Sequence, residues 1–174
     1  MNHLHILSGP PGAGKTTLLK ALAADFVCVA EHARRVIATQ RAAGAAFIGD
    51  AAPEVFIAEM LALACADHAE HAGHDGTVVF DRGLPDLLAF ADHFGVGDAE
   101  IRGGVVQTRY HPTIFWLPSW RAIYETDADR QLDYEGAARF GERIRAGYVS
   151  AGYHFLEVPI GPVAARAEFV RENL

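Results

Sequence analysis

The sequence predicts an α/β protein, with a parallel sheet covered by helices on both faces. Two observations predict it. Five short apolar runs, "LHILSG", "FVCVA", "TVVFD", "TIFWLP" and "HFLEVP", alternate with longer stretches of helical spacing. Such alternation of strand and helix implies a parallel sheet. The first run also ends in "GPPGAGKTT" and passes directly into a helix-forming stretch. Glycine and proline mark turns wherever they occur. Here, however, Gly9, Gly14, Lys15 and Thr16 satisfy G-x-x-x-x-G-K-[ST], the phosphate-binding loop.

In chain order, the first strand alternates from His3 and then turns apolar before the glycines. Helices are expected over residues 15–24, 31–42, 53–72, 84–94, 99–110, 134–151 and 162–172. The alanine-rich "RAAGAA" and "LALACADHAE" have helix composition, and Gly103-Gly104 reads as a helix interruption. After the fourth strand, "PSWRAIYETDADRQLD" breaks the alternation. It is polar and charged, and reads as a flap over about 118–133. Trp116 and Trp120 flank Pro118, which suits burial beneath that flap. Pro159, Gly161 and Pro162 punctuate the last strand-to-helix turn. No repeat or low-complexity tract interrupts the pattern.

The 174 residues suit one domain over 1–174, with 51% hydrophobic and 21% charged residues. A formal charge of −7 argues against a large nucleic-acid-binding face. Cys28 and Cys65, each in an apolar setting, read as reduced thiols. Neither a membrane span nor a signal peptide is legible, so the expectation is a soluble, cytoplasmic protein. An alanine-rich helix would allow a homodimer.

Ligands of such a sheet bind beyond the carboxyl ends of its strands. The first strand ends in the glycine loop, Gly9, Pro10, Pro11, Gly12, Ala13, Gly14, followed by a helix N-terminus, which together form an anion cradle. Lys15 is placed to reach the β- and γ-phosphates, the Thr16 hydroxyl to ligate Mg2+, and Thr17 to bond a more proximal phosphate. The second strand ends in Glu31, with Arg34 and Arg35 one turn on; the third ends in Asp81-Arg82-Gly83. A carboxylate there can hold the metal through water or take the proton of an attacking hydroxyl. It can equally be a helix N-cap. Arg82 would neutralise transferred charge, or pair on the surface with Asp86. In the flap, Arg130 is the candidate cation for the moving phosphoryl group, with a solvated loop as the alternative; Arg121 lies at the flap's base. His68, His71 and His74 recur every three residues, but where a helix fades into a turn, which is poor ground for a metal site.

"GPPGAGKTT", "EHARRVI", "DRGLPDLLAF" and "GYHFLEVPIGPVAARAEFV" resemble the small AAA-type ATPase-like domain family. That family is similar to the nicotinamide riboside kinase domain and, more distantly, to nucleoside and thymidylate kinases. The resemblance spans nearly the whole chain. It implies a three-layer P-loop NTPase fold, a five-stranded parallel sheet of order 2-3-1-4-5, and an arginine-bearing lid before the last strand. It implies ATP and Mg2+ at residues 9–17, with Asp81 at the metal and Glu31, on the outer strand, as base toward the acceptor. Arg82 falls on the acceptor side and Arg130 in the lid. The 159–163 turn, with Gly161, would meet the adenine ring.

The leading function is then a kinase moving the γ-phosphoryl group of ATP to a small-molecule acceptor, nucleoside- or nucleotide-like. A nucleotide-hydrolysing switch or ATPase acting on a protein partner is the alternative, but no N-K-x-D base-reading motif is present. A polynucleotide kinase fits poorly with the acidic charge and the lack of a basic stripe.

Overall fold

An apolar run can sit at the centre of a parallel sheet only if helices cover both its faces. β1 (Leu4–Ser8) is such a strand, buried at every residue. The structure, a computed structural model, describes residues 3–44, 52–126 and 132–174. β1 pairs in parallel with β3 (Val78–Asp81) on one side and β4 (Thr113–Trp116) on the other. β2 (Val27–Val29) adds beyond β3, and β5 (His154–Glu157) beyond β4. The order is therefore β2-β3-β1-β4-β5, as the family resemblance implied.

The period of two in the strands divides the core. Ile6, Phe80, Ile114 and Trp116 face one side, where they meet Phe56, Met60, Ile144 and Tyr148. Leu7, Val79 and Phe115 face the other, against Leu18, Leu22 and Val170. The first layer carries α2 (His32–Ala42), α3 (Pro53–His71), α4 (Asp86–Phe94), α5 (Ala99–Gln107) and α6 (Tyr134–Ser150); the second carries α1 (Lys15–Leu22) and α7 (Val163–Glu172). The edge strands β2 and β5 are only partly buried. None of the described helices is long and apolar enough to cross a membrane.

Two expectations need correction. Gly103-Gly104 does not interrupt a helix, because both glycines lie inside α5. A Cβ on Gly104 would meet Leu84 Cδ2 at 2.7 Å, so the missing side chain lets α5 approach the turn before α4. The same helix ends at Gln107 rather than Tyr110. Thr108 turns extended, and the His111 amide then donates to the Leu4 carbonyl at 2.8 Å, drawing the chain toward β4. Elsewhere the helix ends shift by one or two residues. Cys28 and Cys65 are half-buried free thiols, and burial raises the pKa of both, Cys28 to about 11. Trp116 is buried in the core, whereas Trp120 is half-buried just before a short 3₁₀ turn, Arg121–Ile123.

Candidate functional site

The glycine loop joins β1 to α1 as the motif requires. Gly9 has φ 147°, and a Cβ there would lie 2.3 Å from the Leu117 carbonyl oxygen, so no other residue fits. Gly14 occupies the N-cap of α1 in the left-handed conformation. No side chain caps that helix, and its first turn holds no acid, which leaves its amides available to an anion. Pro10 supports the loop from outside by packing against Gly141 of α6, where a Cβ would come within 2.8 Å.

Lys15 is buried, and its ammonium donates to the carbonyls of Gly9 at 3.1 Å and Pro10 at 2.8 Å. Burial brings its pKa down to about 8, with Arg82 adding to the effect against Asp81, Glu31 and Asp86. The Thr16 hydroxyl donates to Asp81 Oδ2 at 3.0 Å. Asp81 Oδ1 is buried without a partner. Burial, then the neighbouring Glu31, raises the Asp81 carboxyl to about 6. An orphaned carboxylate oxygen beside a threonine hydroxyl is the donor set a magnesium ion takes, directly or through water. Thr17 is exposed beside it.

Glu31 stands at the N-cap position of α2, yet its side chain makes no capping bond. It turns instead to Arg82, whose Nε donates to Oε1 at 2.8 Å, and to Arg34 Nε at 3.4 Å. Burial alone would raise the Glu31 pKa, but Arg82, Lys15 and Arg34 bring it below the ordinary value. Asp81 does not cap a helix either, since α4 has Pro85 at its N-cap.

Arg82 does pair with Asp86, at 2.7 Å, but the pair is buried rather than on the surface, and the arginine is shared three ways. Its Nη1 also donates to the Gly9 carbonyl at 3.2 Å, while Nε holds Glu31. Its φ of 73° makes it the one non-glycine residue at positive φ among those described. Glu31, Asp86 and Asp81 together hold the buried guanidinium firmly protonated despite its desolvation. Arg35 is diverted from the site to Asp67 of α3, which His32 Nε2 also approaches at 3.2 Å.

Arg130 lies outside the described residues. Arg121, at the flap's base, is exposed, pairs with Glu135 and lies 4.2 Å over the Tyr134 ring. Gly161 lines a cleft of about 350 Å³ with Pro159, Ile160 and Phe169. That cleft has a further wall, Arg166, which sequence reasoning missed. It is buried, donates to the Ala13 carbonyl at 3.0 Å and lies 5.7 Å from the Trp120 ring. The available signal was an arginine on the apolar face of α7, with Ala167 and Val170. Also missed was Tyr148, whose hydroxyl donates to Asp86 Oδ2. The three histidines do not converge on one point. His68 meets the Arg109 carbonyl, His71 the Asp67 carbonyl and His74 the Gly76 backbone.

A family model described as an AAA domain matches residues 4–166. No curated protein matches. Among solved structures, a NadR protein in complex with NR superposes with a TM-score of 0.76 at 16% identity, over 99% of this chain and 52% of that one. The chain thus spans about half the length of that protein. Deoxyadenosine kinase from M. mycoides with bound dATP gives 0.67 at 14% identity, over 98% of this chain and 97% of that one. Shikimate kinase from Acinetobacter baumannii in complex with shikimate gives 0.61 at 16%, over 99% and 92%. At these identities the likeness is one of fold.

Proposed function

The chain belongs to this AAA-domain family, and we propose that it is a Mg2+-dependent kinase moving the γ-phosphoryl group of ATP to a small-molecule acceptor, nucleoside- or nucleotide-like. One observation carries the reading. Arg82 ties the strand-end acid Glu31 to the Gly9 carbonyl at the mouth of the loop, so acid, guanidinium and phosphate cradle meet at one point. The solved structures of similar fold include kinases of deoxyadenosine and shikimate, which supports the class.

Transfer needs positioning and charge neutralisation more than covalent chemistry from the protein. The acceptor oxygen attacks the γ-phosphorus, the bond to the β,γ-bridging oxygen breaks, and ADP departs with that electron pair. Glu31 takes the hydroxyl proton. Lys15 exchanges its loop carbonyls for phosphate oxygens, and Arg82 meets the charge on the transferred group. Thr16 and Asp81 would hold the magnesium ion, which draws negative charge from the phosphates when bound. Arg130, which lies outside the described residues, is the proposed further cation for the moving phosphoryl group. The Gly161 turn receives the base. Half-buried free thiols suit a reducing compartment such as the cytoplasm.

The test is ATP with Mg2+ and a panel of nucleosides, nucleotides and small hydroxylated acceptors. An acceptor is expected to accelerate ADP release; release that no acceptor accelerates would point to the hydrolase instead. Lys15→Ala is expected to remove turnover. Glu31→Gln is expected to lower transfer at least about 100-fold while ATP affinity stays within a few-fold. Loss of ATP binding in Glu31→Gln would make that residue structural.

A further inference from the structure

The geometry points to Asp86, backed by the Tyr148 hydroxyl, as a positioning residue that aims the Arg82 guanidinium at the phosphate loop. This rests on the phosphotransferase reading above. An ionised carboxylate offers about four acceptor directions, and Asp86, with no exposed surface, uses them all. Oδ1 accepts from Ser8 Oγ at 2.9 Å and from Arg82 Nη1 at 2.7 Å. Oδ2 accepts from the Gly83 amide at 3.0 Å and from the Tyr148 hydroxyl.

A residue serving only to start α4 would need the Gly83 amide alone. The other bonds go elsewhere. Ser8 is the last residue of β1, immediately before Gly9. Tyr148 belongs to α6, the helix that packs on Pro10 through Gly141. Asp86 therefore joins both supports of the glycine loop to Arg82. It also holds Arg82 twice, through the guanidinium and through the amide that follows its left-handed backbone. A buried network with every member satisfied is rigid and specific. Asp86 and Tyr148 touch no substrate in this scheme; they determine where the arginine points.

The experiment measures affinity for MgADP alone and for MgADP with aluminium fluoride, which imitates the moving phosphoryl group. Asp86→Asn and Tyr148→Phe are prepared in the unaltered chain and in an Arg82→Lys background. Both variants are expected to bind MgADP within about twofold of the unaltered chain, but to lose about tenfold and about threefold, respectively, of its fluoride-dependent gain. In the Arg82→Lys background those losses should vanish, since the group being aimed is gone. Tyr148→Phe removes a single hydroxyl and keeps the inference testable if Asp86→Asn does not fold. A gain undiminished in folded variants, or losses that persist in full with Arg82→Lys, would overturn the positioning role alone. An unaltered chain that gains nothing from aluminium fluoride would overturn the phosphotransferase reading and this inference with it.

Discussion

Arg82 holds a left-handed backbone that costs a non-glycine residue about 1–2 kcal/mol. Strain of this kind persists where the surroundings over-determine it, which at active sites is common. Here Glu31, Gly9 and Asp86 supply the restraint. Lysine carries the charge but not the planar fork, so it cannot meet all three partners at once. Arg82→Lys is expected to lower kcat about 100-fold while ATP affinity changes a few-fold at most, as steady-state kinetics beside nucleotide titration would read. Asp81 presents the opposite economy. Its charge is desolvated, which is why its carboxyl rises to about 6, and one oxygen has no partner. Above that pH, Asp81→Asn is expected to keep or raise the thermal midpoint without metal, yet to raise the magnesium concentration needed for activity about tenfold.

At the scale of elements, α5 shows how little a glycine pair says on its own. A Cβ on Gly103 would meet nothing within 4 Å, whereas one on Gly104 would press on Leu84. Gly103→Ala is expected to stabilise by about 0.5–1 kcal/mol through helix propensity. Gly104→Ala is expected to destabilise by about 1–2 kcal/mol through overpacking. Denaturant midpoints of the two variants should move in opposite directions. The helices and strands themselves were legible because their periodicity is local. Their ends were less so: Thr108 leaves α5 early because the chain must reach β4, a demand set by the sheet. Arg166 on the buried face of α7 was legible in principle, as a charge where the helical period calls for an apolar residue.

For the whole molecule, the parallel sheet gathers chemistry at the carboxyl ends of its strands and leaves histidines at the other. His5 of β1 is buried and stacks on His111 with ring centroids 4.4 Å apart. Burial, then the charges of His111 and His3, bring its pKa from 6.5 to about 4. Between those values the unfolded chain binds more protons than the folded one, so this stability is complete above 6.5 and is lost as pH falls toward 4. The loss is about 2 kcal/mol after allowance for partial screening, or roughly 4–8 °C in thermal midpoint. A melting series over that pH range checks it, and His5→Phe should flatten the dependence.

The amino-acid order alone determined the alternation of strand and helix, the glycine loop, and the acids that close β2 and β3. These are contiguous patterns, and a cradle built from one strand, one turn and one helix start is encoded within a few residues. Of the partners of Arg82, Asp86 lies four residues on and was legible as a candidate pair, whereas the longer-range contacts were not encoded in that way. Glu31 lies 51 positions before Arg82, and Tyr148 lies 62 positions beyond Asp86. No periodicity links them. Glu31 reaches Arg82 because β2 pairs with β3, and Tyr148 reaches Asp86 because α6 packs on α4 and the loop. Only the packed sheet and its helix layers, which bring Glu31, Arg82 and Asp86 together and bury the last two, decide which of them meet.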